Sequence, residues 1–409
     1  MAIDKAFVRN ITIHEGGIDL NKKERLKIEN VSAIITASIF LLAGAIPIFV
    51  SMGLTGGLST RAISSLIMVG IFVSGILSIF LSLHFKMPIY AAPSITAVAI
   101  IIPLLKNFSL EQMIMGYLLA GVVVSILGGL NLIEKLVTCV PIPIVLAMVG
   151  GVYMSYGLDL IAGVKKLPLA AVIVAAYFLV TLISKKIPSQ AAALITAVVI
   201  TFFLLKRKGF TGESLTIEWF PPIVAFPEME FDVFVYISLP LVIMAISDIF
   251  KGYGVLKANG FDVTLNKVAF WCGISSIISS FGMGHTISLS GPTIAIVAGQ
   301  DAGPKQSRYK NVIAFSGISL GIALLAGVVI SLITLLPTEV VDVICGLAMI
   351  GLLTSSLTGA FGERRFTLGA LVAFVVGLSH ISIVGIGAPV WAIIFGIVVS
   401  LVAEREDFR

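Results

Sequence analysis

The residues with most scope for chemistry in this chain are Asp248 and Lys251, three apart in "LVIMAISDIFKGYG", inside a long apolar run. At that spacing both side chains fall on one face of a helix. A carboxylate withdrawn from water can take up and release a proton. An ionisable residue at membrane depth marks a pathway or a relay by default, because burying it is costly. Two uses are open at this point. Asp248 couples proton or substrate movement, or it forms a structural ion pair with Lys251, whose long stem snorkels toward the cytoplasm. His285 is the next candidate, as a proton relay or as a hydrogen-bonding anchor. Asp159, Asp342, His380 and Trp391 lie near the ends of apolar runs and read as interfacial.

Hydroxyls and prolines cluster in two further stretches, "MPIYAAPSITAVAI" (87–100) and "HTISLSGPTIAIVA" (285–298). Aligning Pro93 with Pro292, an offset of 199, also matches Ser94 with Thr293 and Val98 with Val297. Each stretch reads as a few extended residues followed by a helix too short to cross about 30 Å of hydrocarbon at 1.5 Å per residue. A helix that begins near the bilayer midplane presents amides without intrahelical partners. Two such N-termini converging from opposite sides form a donor-rich, positive pocket suited to an anion or an acceptor-rich ring. Pro93 and Pro292 fit the first helical turn, where a missing N–H costs nothing. Ala92, Ser94, Ser288, Ser290, Gly291 and Thr293 surround them, and Ser247 adjoins Asp248. Tyr90 either lines the cavity or packs on a neighbour. Read as ordinary loops, the two stretches would leave their self-match unexplained. Interrupted segments at matching places in two halves point to a transporter's substrate site.

The elements that must hold these residues are membrane spans. The chain is 58% hydrophobic and 12% charged, against roughly 25% charged in soluble domains. That composition predicts an all-α polytopic membrane protein. Apolar runs cover 31–54, 63–83, 92–105, 113–132, 142–161, 167–183 and 191–205, then 234–256, 268–281, 292–298, 312–336, 340–357, 366–378 and 381–403. They predict 14 transmembrane segments as two repeats of seven, 31–205 and 231–403, with strand plus half-helix in segments 3 and 10. Residues 1–30 form a cytoplasmic N-terminal segment and 206–230 an extracytoplasmic linker. Seven is odd, so the halves are inverted. With both termini cytoplasmic, 19 of the 27 lysines and arginines fall inside and 7 outside, leaving Lys251 within a span. That bias obeys the positive-inside rule. No cleavable signal peptide is evident, and the expected location is the cell's inner or plasma membrane, in contact with the lipid bilayer.

Several classes are set aside. Cys139, Cys272 and Cys345 are too widely spaced for a disulfide framework or zinc site. No P-loop pattern occurs, the glycines of "GGLNLIEK" fit helix packing at a span end, and no nucleophile elbow is present. The net charge of +5 belongs to membrane topology and not to nucleic acid. No cofactor is expected, and the energy source is an ion or substrate gradient.

The stretches "HFKMPIYAAPS", "GVLKANGF", "FGMGHTISLS", "LPTEVVDVICGLAMIGLLTSSLTGAF" and "GIGAPVWAIIFGIV" resemble the benzoate/proton symporter family, over most of 31–403. That family belongs to a wider class of seven-plus-seven inverted-repeat transporters, with nucleobase permeases and sulfate-type anion transporters. The resemblance implies a core domain of segments 1–4 and 8–11 and a gate domain of segments 5–7 and 12–14. It implies a substrate site between segments 3 and 10, at Ala92, Pro93 and Ser94, Ser288, Ser290, Gly291, Pro292 and Thr293, with Ser247 and Asp248 from segment 8. A homodimer through the gate domain is common in the class. The chain departs from the family's pattern at Asp248 and Lys251, where an Asn-containing Ser-Gln-Asn and a later proline are expected, at Ser288 for an asparagine, and in "AAPSIT", which lacks a tryptophan.

The expected function is secondary active transport of a small organic anion, an aromatic carboxylate such as benzoate, with protons coupled through Asp248. A nucleobase permease has a carboxylate in segment 10, where Ser290 stands here. An inorganic anion transporter, a channel and a membrane-embedded enzyme are the remaining alternatives. The last two want a polar stripe or clustered catalytic residues that the apolar runs lack.

Overall fold

The computed structural model describes residues 28–135, 141–183, 189–207, 219–299, 302–362, 364–379, 381–383 and 386–408. The cytoplasmic segment expected before residue 28, part of the linker (208–218), Cys139 and His380 lie outside the described residues.

The chain is mostly helical. Helices α1 (Asn30–Thr55), α2 (Thr60–Phe85), α4 (Leu110–Gly129), α5 (Ile142–Lys166), α7 (Ser189–Arg207), α8 (Phe231–Lys257) and α13 (Thr338–Phe361) are long and apolar enough to cross a membrane. Helices α11 (Arg308–Leu324) and α12 (Ala326–Thr334) give an eighth span if taken together. Shorter helices are α3 (Ile95–Leu104), α6 (Ala171–Ile183), α9 (Leu265–Ser280), α10 (Gly291–Ala298), α14 (Thr367–Ser379) and α15 (Ala388–Ala403). Their starts follow local chemistry. Ser59 caps α2 by accepting from the Ala62 N–H, and Ser109 with Gln112 forms a reciprocal capping box on α4.

Three expectations need correction. The run 312–336 is not one straight span: α11 and α12 meet at 70° around Leu325. The Trp219 indole donates to the Leu324 carbonyl (3.0 Å), filling an acceptor that the break leaves open. The last run does not begin its helix at 381, because Ser382–Ile383 and Ile386–Gly387 pair as a short hairpin before α15. The run 142–161 does not end its helix near Asp159, because α5 continues through that residue to Lys166. The two lysines at that end suit the negative pole of the helix.

Two strands organise the centre. β1 (Ala91–Pro93) and β2 (Ile287–Leu289) pair antiparallel, with Ala92 opposite Ser288. Ser94 N donates to Thr286 O and Ser290 N to Tyr90 O, which extends the ladder at both ends. A two-stranded sheet in hydrocarbon has two edges whose amides lack water. Helix hydroxyls serve them. Ser78 of α2 accepts from the Ala91 N–H (2.9 Å), Ser82 donates to Ile89 O (3.0 Å), and Ser276 of α9 accepts from the Ile287 N–H (2.8 Å).

Around the strands, α2 packs on α11, α4 on α9 and α8 on α10. The α4–α9 contact brings backbones together: a Cβ on Gly128 would stand 2.5 Å from Phe270 N. A separate set of contacts joins α5 to α13 and α14, α14 to α15, and α6 to α7. This set has its own apolar cluster, including Leu160, Tyr177, Ala197, Val343 and Leu347.

Candidate functional site

Asp248 lies on α8 beside the end of β1 and the middle of β2 and is buried. Its two carboxylate oxygens have different partners. Oδ2 accepts from the hydroxyls of Ser94 (2.5 Å), Thr96 (2.5 Å) and Ser288 (3.3 Å). Oδ1 faces Lys251 Nζ at 2.6 Å. The helical spacing that predicted a shared face is therefore realised as an ion pair. Hydroxyl donors from α3 and β2 together with the ammonium replace the water that the carboxylate has lost. Close approach of α8 to β2 depends on Gly252, where a Cβ would lie 2.3 Å from the Leu289 Cβ.

Pro93 is not in a first helical turn. It ends β1, and Ser94 is the N-cap of α3, accepting from Ala97 N at 3.1 Å. Pro292 does sit in the first turn of α10, behind the N-cap Ser290. The N-caps are 196 residues apart, whereas the sequence match runs at 199, so the second proline falls about one turn deeper in its helix. Ser290 makes no capping bond to the backbone; its hydroxyl pairs with that of Thr293 at 2.9 Å.

A small, narrow cleft opens at this uncapped end. Ala92, Pro93, Ser290 and Thr293 form its polar and backbone side, and Tyr90 lines it as well. Tyr90 also packs on Phe315, ring centroids 4.9 Å apart. The apolar wall comes from Phe40, Leu41, Ala45 and Phe49 of α1, Ile71 of α2 and Phe315 of α11. Residues Leu41–Ala45 form a π turn, which shifts the facing register of α1 toward the cleft.

Other expected residues are distributed as follows. Ser94 and Ser288 bind Asp248 instead of lining the cleft. Ser247 is buried and its hydroxyl has no hydrogen-bond partner among the described residues. His285 is fully buried beside the Phe49 and Tyr117 rings, at 5.5 and 6.2 Å, and donates no hydrogen bond to Asp248. Trp391 donates to Ile383 O at 3.1 Å. Sequence reasoning missed Thr96, although it is the one hydroxyl in the apolar run 95–104. It also missed the aromatic wall, whose members come from helices far apart in sequence. Among the described residues no group of three or more His, Cys, Asp or Glu could hold a metal ion.

A family model described as "Benzoate membrane transport protein" matches residues 24–402. The chain belongs to the benzoate membrane transport protein family. Its relatives include the benzoate membrane transport protein of Acinetobacter baylyi (strain ATCC 33305 / BD413 / ADP1), 27% identical over 380 residues, covering 90% of this chain and 94% of that one. The inner membrane protein YdcO of Escherichia coli (strain K12) is 23% identical over 341 residues, covering 82% of this chain and 86% of that one. Among solved structures, the fold is similar to the transmembrane domain of the cyanobacterial bicarbonate transporter BicA, with TM-score 0.58 and 14% identity over 90% of this chain and 97% of that one. It is likewise similar to SLC26A9, with TM-score 0.61 and 15% identity over 93% of this chain and 66% of that one. Membership of this family makes the protein a membrane-embedded secondary transporter for a small anion, and not an enzyme.

Proposed function

We propose that the protein is a proton-coupled symporter of benzoate or a closely related aromatic carboxylate, in the cell's inner or plasma membrane. The observation that carries this reading is the lining of the cleft: the apolar side chains of Phe40, Phe49, Tyr90 and Phe315, with the side-chain-uncapped N-terminus of α10 and the Ser290 and Thr293 hydroxyls on one side. An aromatic ring suits the wall, and a carboxylate suits the helix N-terminus. The name of the Acinetobacter relative agrees with that chemistry. A nucleobase has no comparable support, because the cleft brings no carboxylate to its polar side.

In this reading the helices form fourteen segments in two inverted repeats, with α11 and α12 as one bent span. The antiparallel pairing of β1 with β2, the π turns in both α1 and α8, and the serines serving both strand edges support it. The core is α1–α4 with α8–α12, and the gate is α5–α7 with α13–α15, a division supported by the separate cluster around Tyr177 and Leu347. Both termini are cytoplasmic, supported by the charge bias. A homodimer through the gate belongs to the same reading, with exposed Leu182, Phe202 and Phe203 offering apolar area. Asp248 carries the proton. His285, packed between rings, orients the wall and takes no proton from Asp248.

Uptake of labelled benzoate into proteoliposomes, with and without an inward proton gradient, tests the function. Stimulation by the gradient is expected; uptake indifferent to it removes the coupling, and no uptake removes the substrate.

A further inference from the structure

We infer that Lys251 recognises the substrate carboxylate by exchanging partners: it holds Asp248 in the empty carrier and holds the substrate once Asp248 has taken the proton. This deepens the proposed function and rests on it.

The division of labour at Asp248 carries the inference. Three hydroxyls converge on Oδ2, while Oδ1 has Lys251 at 2.6 Å. A proton arriving at Oδ1 therefore competes with Lys251 for one oxygen, and the hydroxyls still hold the other. Once Asp248 is neutral, a half-buried ammonium (Lys251 side chain 18% exposed) is left without a counter-charge, which is unfavourable. A carboxylate supplies that counter-charge. Lys251 is well placed to meet it. A Cβ built on Gly291 would lie only 3.9 Å from the Lys251 Cβ, so the lysine stem emerges beside the first residue of α10, next to cleft-lining Ser290. Gly291 has no side chain to bar the way. The lysine stem spans four carbons with free rotation, long enough to turn from Asp248 to the cleft.

Among the described residues no charged side chain lines the cleft. Tyr153 of α5 and His285 also lie within electrostatic reach of Asp248. Of the elements packed on α8, neither α3, β2 nor α10 carries an ionisable residue. α4 contributes Tyr117 and, at its end, Glu111, and α9 contributes Cys272 and Lys267.

The proton balance closes. A proton from the outer solution bonds to Oδ1, the Lys251–Asp248 pair separates, and Lys251 pairs with the substrate anion. On the inner side the substrate leaves, the proton leaves Oδ1, and the original pair reforms. The site is neutral in both crossing states, so one proton moves per carboxylate and no net charge crosses.

The experiment uses intact protein in proteoliposomes with labelled benzoate. Lys251→Met should raise the KM by roughly ten- to a hundredfold, the worth of a hydrogen bond to a charged group, and Lys251→Arg should restore part of it. Asp248→Asn should keep benzoate–benzoate exchange and lose net uptake, because the empty carrier must then return with an unpaired ammonium. The double variant Asp248→Asn with Lys251→Met should regain thermal stability over Lys251→Met alone and still bind benzoate weakly. A Lys251→Met KM equal to wild type, or a double variant with wild-type affinity, overturns the inference and leaves Lys251 a structural partner. Absence of benzoate uptake by wild-type protein itself overturns the proposed function, and this inference with it.

Discussion

Ser94 and Ser290 occupy the same position in the two crossing units, the residue before a short helix, and they are used differently. Ser94 accepts from Ala97 N and donates to Asp248, so the amide end of α3 is closed and committed to the protein. Ser290 makes no such cap and turns to Thr293, so the amide end of α10 stays open to the cleft. Both strands nevertheless have their edges served by a helix serine, Ser78 and Ser276. The lesson is that a repeated scaffold can be kept symmetric in its backbone while one copy holds an internal carboxylate and the other waits for an external one. Symmetry fixes where the two amide ends lie, and single hydroxyls decide which is occupied.

Substitutions separate the roles of the two units. The largest effect is expected from Gly252→Val. Its Cβ would fall 2.3 Å from the Leu289 Cβ and drive β2 off α8, costing about 3 kcal/mol or more; thermal unfolding in detergent should register it, with transport lost. Ser78→Ala and Ser276→Ala each strand one strand amide away from water, at about 1–3 kcal/mol. Equal losses of stability in the two would support matched scaffolds, and a large difference would end that part of the comparison. Ser94→Ala removes a cap worth about 1 kcal/mol and should alter the pH dependence of uptake, whereas Ser290→Ala should leave stability unchanged and raise the KM for benzoate. If the two effects are exchanged, the assignment of closed and open ends is wrong.

The smallest effect lies outside both units. Glu404 is drawn slightly out of water, which would raise its pKa, but the Leu368 and Gly369 amides and the Ser400 and Thr367 hydroxyls hold it below the ordinary carboxylate value. A carboxyl with a lowered folded-state pKa contributes stability that is present above its unfolded value, about 4.5, and is lost as pH falls through the folded one. Glu404→Gln should therefore lower the melting temperature slightly at neutral pH and flatten its fall toward acid, a difference that vanishes once wild type is protonated.

Much of this arrangement was legible in the sequence. Two short helices after extended residues, half a chain apart, have a local signature in "YAAPS" and "SLSGPT". The Asp248–Lys251 pair follows from helical spacing alone. Other parts have no local signature. The donors to Asp248 from Ser94 and Thr96 reach across about 150 residues of sequence, and nothing around a serine in an apolar helix tells that it faces a strand edge. Pro93 was misplaced by a residue or two because proline is tolerated equally at a strand end and in a first helical turn. The bend at Leu325 carries no proline, so hydropathy reads straight through it.

The pairing of Ala91 with Leu289 has a consequence for synthesis. At 5–20 residues per second, roughly 10–40 s separate the emergence of the first strand from that of its partner. Throughout that interval the strand's inner edge has no mate, and only its outer edge is already met, by Ser78 and Ser82 from the helix just made. The transport site thus cannot assemble until well past the chain's midpoint, and a chain halted midway presents an unmatched strand within the membrane, the kind of defect by which quality control can tell unfinished carriers from finished ones.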